Sequence, residues 1–280
     1  MRFDTLTIVG VGLIGASAGL AARERRAVGR VVGVGRSLET LETAKARGAL
    51  DEYTTDLEVA VRSSDLVLVC TPVDRVISLI RSSAAVARPG TVFTDAGSTK
   101  AVIARELDGT LPAGVPFVGG HPLAGSEKRG PDHARADLFA GRLTVLTPTP
   151  TTDAKAVERV AAFWRALGST VKLMDPREHD ETLAVTSHLP HLVAAALAGC
   201  LPDDLREFAA TGFRDTTRVA AGDPELWAAI FAQNKEAVRR AVSAFRDRLT
   251  DLSAAIYADD AVALRDMLTH AKKVRDDLGN

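Results

Sequence analysis

Two cysteines in 280 residues are too few to staple a fold or to build a thiolate metal site. Cys70 sits in an apolar, strand-like run and Cys200 at the end of an expected helix, and neither has a partner at metal-like or disulfide-like spacing. A reducing, cytoplasmic setting is the expectation. An excess of charge of either sign is also missing. With 35 Lys and Arg against 36 Asp and Glu, a formal net charge of −1, no overall basic field exists to hold nucleic acid or an anionic membrane, so anions must be bound locally. No apolar run approaches the roughly 20 residues that span a bilayer, and Met1-Arg2-Phe3-Asp4 leads directly into a strand, so a soluble, unexported protein is expected. Linkers, low-complexity tracts and internal repeats are lacking too, and no appended regulatory module is expected.

What is present is a run of short Val-, Leu- and Ile-rich segments with helix-like stretches between them: Leu6–Gly10, Val31–Gly35, Leu66–Cys70, Val92–Asp95, Val115–Val118 and Leu143–Leu146. Such segments read as strands buried on both faces of a mostly parallel sheet, the α/β doubly wound arrangement. Val157, Val160, Ala161, Trp164 and Leu167 mark a helix over Lys155–Leu167, and Thr170–Met174 reads as a last strand. From Glu178 onward the pattern is helical: His179–Gly199, Leu205–Thr211, Pro224–Ala258, with a break near Gln233-Asn234 left open, and Ala261–Leu278. The length favours two domains. The division predicted is a dinucleotide-binding α/β domain over 1–174 and an all-helical domain over 175–280. Leu226, Trp227, Ile230, Phe231, Val238, Val242, Phe245 and Leu249 form a long apolar stripe that must be covered by something equally long. A second subunit fits, which predicts a homodimer through the helical domain.

Gly10, Gly12 and Gly15 form Gly-x-Gly-x-x-Gly at the end of the first strand, with Leu13 and Ile14 between the last two glycines and a helix continuing over Ala16–Arg25. The glycines permit a sharp turn and let a pyrophosphate reach the N–H groups of a helix N-terminus. About 20 residues on, where an acidic residue normally grips the ribose hydroxyls, stands Gly35-Arg36-Ser37. Arg36 can pair with a 2′-phosphate and Ser37 can donate a hydrogen bond to it, which favours NADP over NAD; Arg36 stacked on adenine or simply solvated is the alternative. Thr71-Pro72, at another strand end, is expected to line the cofactor.

Val118-Gly119-Gly120-His121-Pro122-Leu123-Ala124-Gly125-Ser126-Glu127 reads as a Gly/Pro-bounded loop presenting a histidine, the side chain best suited to accept a proton near neutral pH. The plainer reading is that His121 only shapes a turn. Gly97-Ser98-Thr99-Lys100 follows the strand Val92–Asp95, where ligands bind in open α/β sheets; Ser98 is read as a helix N-cap that can also face a reacting oxygen. Thr186-Ser187-His188-Leu189-Pro190-His191 opens an apolar helix, and without a Glu or Cys set to complete a site no metal is expected. Arg218, at the end of an apolar stretch, would be costly to bury unpaired, so either Asp215 or a substrate carboxylate neutralises it.

These motifs, in this order from about Thr5 to Val238, resemble the prephenate/arogenate dehydrogenase family of tyrosine biosynthesis. The resemblance implies a Rossmann domain joined to an all-helical dimerisation domain. It implies His121 as the catalytic histidine, Ser98 as the serine bonded near it, Arg218 as the arginine holding a substrate carboxylate, and His191 as a substrate-binding histidine at the rim. Ser126 and Glu127, in the same motif as His121, are taken as substrate-binding, with Glu127 and Asp180 as candidates to meet an amino group on the substrate tail. The activity implied is NAD(P)-dependent oxidative decarboxylation of prephenate to 4-hydroxyphenylpyruvate, or of arogenate to tyrosine. A reductase built like pyrroline-carboxylate reductase and a non-catalytic dinucleotide sensor are the rival readings. Arg36 departs from the Asp found in many relatives.

Overall fold

The glycine-rich turn and the histidine both emerge from one twisted sheet in the computed structural model, which describes residues 3–126 and 128–279. Strand β1 (Phe3–Val9) leads into helix α1 (Leu13–Glu24), then β2 (Val28–Val34), α2 (Leu38–Ala46), β3 (Glu52–Thr54), α3 (Leu57–Arg62), β4 (Leu66–Val69), α4 (Val73–Ala84), β5 (Val92–Asp95), α5 (Ala101–Leu107), β6 (Phe117–Pro122), β7 (Leu143–Thr147), α6 (Ala154–Ala166) and β8 (Thr170–Leu173). The strands lie in the order β3-β2-β1-β4-β5-β6-β7-β8, with β6 and β7 antiparallel and the other pairs parallel. This is the doubly wound, mostly parallel sheet expected.

Alternation along the central strands feeds two cores. Leu6, Ile8, Leu66 and Leu68 pack with Trp164 of α6 on one face, while Val9, Val67 and Val69 pack with Val76, Ile80 and Ile103 on the other. Each such fully buried side chain contributes roughly 1.5–3 kcal/mol. Strand β3 was not expected, because Glu52-Tyr53-Thr54 is a short, partly exposed edge strand with no apolar run to announce it.

After Asp175 the chain is helical. The Asp175 carboxylate accepts from the N–H of Arg177 at 2.8 Å and of Glu178 at 3.3 Å, capping α7 (Pro176–Leu183) with Pro176 in its first turn. The helix runs through a π-helical segment, Ala184–His188, into α8 (Leu189–Gly199). Pro176–Gly199 spans 24 residues and contains an 18-residue window with a mean hydropathy of 1.2, enough by length and composition to cross a membrane, contrary to the expectation from uninterrupted runs. Polar residues divide it in the sequence, and His179, Asp180 and His188 are buried and hydrogen-bonded within the protein. The helix therefore forms a wall of the site described below.

The expected helix over Leu205–Thr211 is instead a 3₁₀ turn, Asp203–Phe208, followed by α9 (Thr211–Thr217) and a second 3₁₀ turn, Arg218–Ala221. Leu205 and Phe208 are exposed, so no burial extends the first turn into a helix. The long C-terminal stripe is divided at Asn234 into α10 (Pro224–Gln233) and α11 (Lys235–Tyr257), followed by α12 (Ala261–Asp277). The cause is visible at Asn234, whose buried side-chain amide is drawn inward to Asp180 O at 2.7 Å and His188 Nδ1 at 3.1 Å. By density of contacts the chain forms two units, Met1–Asn234 and Lys235–Asn280. Helices α7 to α10 group with the sheet, although the backbone changes from sheet to helix at Asp175-Pro176.

Candidate active site

Strand order reverses between β1 and β4, and the glycine-rich turn lies at their carboxyl ends, the usual place for a nucleotide. Gly10 adopts φ 92°, and a Cβ there would fall 2.7 Å from the carbonyl oxygen of Cys70 and 3.0 Å from Thr71 Cγ2. A Cβ on Gly15 would lie 2.3 Å from Gly10 O, whereas one on Gly12 would meet nothing within 4 Å. The turn is drawn tight on its protein side and open on the other, the shape that lets a pyrophosphate approach the N-terminus of α1, where Leu13 and Ile14 form the first turn. Thr71 stands beside it, followed by Pro72 at the N-terminus of α4. Arg36 is exposed just beyond β2, and Ser37 caps α2 by accepting from Thr40 N at 3.2 Å. Ser37 Oγ thus serves as a helix cap, and its O–H can still donate.

His121 lies not in a loop but within β6, paired with Val145 across the antiparallel ladder. The glycines before it serve close approach rather than turning: a Cβ on Gly119 would fall 2.4 Å from Thr147 Oγ1, and one on Gly120 2.8 Å from Asp95 O. Beneath this strand a buried ion pair joins Lys100 to Asp95, both side chains fully enclosed. Lys100 Nζ also donates to Gly120 O at 2.9 Å, while the Asp95 carboxylate accepts from Gly120 N at 3.1 Å and Gly97 N at 2.9 Å. Both main-chain polar groups of the residue before His121 are therefore gripped by charged partners, and such charge-assisted bonds fix geometry well.

His121 Nδ1 lies 2.9 Å from His179 Nε2, and His179 Nδ1 lies 2.8 Å from Asp180 Oδ1. Asp180 also accepts from Lys100 N at 2.8 Å and Ala101 N at 2.9 Å, so it caps α5 from 80 residues away. The helix cap expected of Ser98 is thus supplied by Asp180. Half-buried Ser98 lies in the turn before α5, where its main-chain carbonyl faces His188. Asp180 is likewise too buried and too engaged to meet a substrate tail. Thr99 Oγ1 donates to Gln233 Oε1 at 2.6 Å, tying this turn to α10.

Burial pushes the His121 imidazole well below the ordinary histidine range, and positive charge on His179, Lys100 and His188 adds to the effect. His179 is lowered by burial against the opposing pull of Asp180. Burial brings His188 to about 4 and lowers His191 as well. In all four rings burial thus favours the uncharged form. His191 stacks on Trp227 at 3.6 Å between centroids and 13° between planes. A Cβ on Gly222 would fall 2.6 Å from Trp227 Nε1 and 3.0 Å from His191 Cε1, so only glycine leaves room for the stack. His191 Nδ1 is buried without a hydrogen-bond partner.

Arg218 opens the turn Arg218–Ala221, which packs on α8, the helix of His191. It is exposed, so the anticipated cost of burying it does not arise. Ser126 is exposed and accepts from Lys128 N at 3.2 Å; Glu127 lies outside the described residues. Among the described residues no group of His, Cys, Asp and Glu could hold a metal. Sequence reading missed the roles of Asp95, Lys100, His179, Asp180 and Asn234. Lys100 stood in the polar turn after a strand, Asp180 as a candidate for the substrate tail and Asn234 at a suspected helix break, but none of these pointed to the partners found.

A switch-point glycine cradle and a neutral histidine at the carboxyl edge of the same sheet define a dinucleotide-dependent oxidoreductase of Rossmann type. The chain belongs to the prephenate dehydrogenase family: the family's nucleotide-binding domain model matches residues 18–173 and its dimerization domain model matches 175–270. It is 35% identical to the cyclohexadienyl dehydrogenase of Zymomonas mobilis, over 98% of this chain and 95% of that one. It is 33% identical to the prephenate dehydrogenase of Bacillus subtilis, over 98% and 76%. The crystal structure of prephenate dehydrogenase from A. aeolicus in complex with hydroxyphenyl propionate and NAD+ superimposes with a TM-score of 0.92 at 32% identity, covering 99% of both chains.

Proposed function

We propose that this protein is a prephenate dehydrogenase, converting prephenate to 4-hydroxyphenylpyruvate and carbon dioxide in tyrosine biosynthesis. The observation that carries the reading is His121, a neutral imidazole fixed by the Asp95–Lys100 platform at the edge where α/β enzymes bind their ligands. When bound, a nicotinamide dinucleotide supplies the hydride acceptor, and Gly10, Gly12, Gly15, Leu13, Ile14, Thr71 and Pro72 hold it. Hydride leaves the carbon bearing the hydroxyl, and His121 takes the hydroxyl proton. The ring carboxylate departs as carbon dioxide, its bonding pair stays in the ring, and the ring becomes aromatic. The proton count closes when His121 returns its proton to the phenolate oxygen. Aromatisation drives the reaction, so the protein's task is alignment and charge management.

Ser98 orients the reacting oxygen against His121, Arg218 holds a substrate carboxylate, and Ser126 and Glu127 stand beside the substrate. His191 lines the rim, and its partnerless buried Nδ1 supports a ligand contact there. Arg36 favours NADP, which the NAD+ of the A. aeolicus structure does not share, so the preference rests on this one side chain. Arogenate is the second substrate of this reading, since a 35% identical relative carries the broader name cyclohexadienyl dehydrogenase. A homodimer through the matched dimerization domain and residence in the cytoplasm complete it. Assay of the purified protein with prephenate and arogenate, each with NAD and NADP, tests the reading. Turnover of prephenate is expected, and failure with both substrates overturns it in favour of a dinucleotide sensor.

A further inference from the structure

The hydrogen-bond chain behind His121 contains its own proton bookkeeping. Asp180 accepts from the main-chain N–H groups of both Lys100 and Ala101, so it faces His179 as an acceptor only. The hydrogen in the 2.8 Å contact between them therefore sits on His179 Nδ1. A neutral ring protonated at Nδ1 has a bare Nε2, and this atom is the one 2.9 Å from His121 Nδ1. His121 must then donate from Nδ1, which leaves its own Nε2 unprotonated. One carboxylate thus sets the tautomers of two rings. Nearby groups do not compete for the chain: the Lys100 ammonium is taken up by Asp95 and Gly120 O, and His188 Nδ1 by Asn234.

We propose that His179 and Asp180 are positioning residues for the dehydrogenase reaction, holding His121 as its Nδ1–H tautomer so that the bare Nε2 receives the substrate's hydroxyl proton. This rests on reading His121 as the proton acceptor. When His121 gains the proton, its Nδ1–H points at a ring whose other nitrogen is bonded to a carboxylate, so the new positive charge is stabilised without any group moving. His179 contributes no contact to the substrate.

Asp180 also caps α5, so its removal disturbs the fold whatever the chemistry; the discriminating variants are His179→Leu and His179→Gln. Glutamine places an amide oxygen near the position of Nε2 and can still accept from His121. His179→Leu is expected to lower kcat on the order of 10²-fold with the prephenate KM changed by less than about threefold, and His179→Gln to restore at least about tenfold of the loss. Nitrogen-15 NMR of the histidine rings in the unmodified protein is expected to show His121 as the Nδ1–H tautomer. A folded Leu variant with undiminished kcat, a Gln variant no better than Leu, or His121 observed as Nε2–H each overturns the proposal. The NMR result needs no substrate: an Nε2–H ring defeats the positioning role, while an Nδ1–H ring in a protein that turns over neither substrate defeats the functional reading instead.

Discussion

At the scale of single residues, the four histidines His121, His179, His188 and His191 all have pKa values held below the ordinary 6.5, chiefly by burial. In the unfolded chain each takes up a proton as pH falls through about 6.5, so below that pH the unfolded state binds more protons than the folded one. Their contribution to stability is complete above pH 6.5 and is lost as pH falls toward the folded values. For His188, which titrates at about 4, the loss is on the order of 3 kcal/mol. Tm measured by calorimetry should be level between pH 8 and about 7 and fall steeply between about 6.5 and 4. With His121 as the proton acceptor proposed above, the acid limb of kcat/KM should also lie below 6.5, and an inflection near pH 7 would contradict that role for so buried a ring. His121 stood out in the sequence because a histidine among glycines near a strand end offers specific proton chemistry. His179 and Asp180 were not, because their meaning arises only when α7 is folded against β6 and α5, a contact without a local pattern.

Among the elements, strands buried on both faces announced themselves as apolar runs, and seven of the eight were placed within a few residues. The departures have one cause, polar partners arriving from elsewhere in the chain. β6 extends through Gly119, Gly120 and His121, where local reading predicts a loop, because Thr147 and Asp95 press close enough to require glycine in a strand. α5 starts three residues after Ser98 because Asp180 supplies its cap. The junction of β2 and α2 remains a local matter, and Arg36 can be tested there. A charged hydrogen bond to a 2′-phosphate is worth about 1.5–3 kcal/mol, so Arg36→Asp should reduce the kcat/KM ratio of NADP to NAD by about 10- to 100-fold. Steady-state kinetics with both cofactors decides the point, and an unchanged ratio removes Arg36 from cofactor recognition.

For the whole molecule, the change from strand to helix near Asp175-Pro176 was plain in the sequence, whereas the grouping of α7 to α10 with the sheet depends on side chains such as Asn234 and Gln233 reaching distant partners. The last unit, Lys235–Asn280, presents a different problem. Phe245, Leu249 and Ile256 on α11 recur at helical spacing and stay exposed, as do Val262 and Leu268 on α12. A helix of 23 residues is about 35 Å long, and an apolar stripe along it is a standing invitation to association unless another chain covers it. A second copy meets that need by two-fold symmetry, in which the same stripe lies on both sides of the interface, and the match of 175–270 to the family's dimerization domain favours that partner. The unmodified protein should therefore sediment as a dimer. Placing charge in the stripe with Leu249→Glu and Ile256→Glu should shift it toward monomer, since a carboxylate left unpaired in such an interface costs several kcal/mol. Sedimentation velocity across a concentration series distinguishes these states, and an unmodified chain that remains monomeric at micromolar concentration would leave the stripe to some other partner.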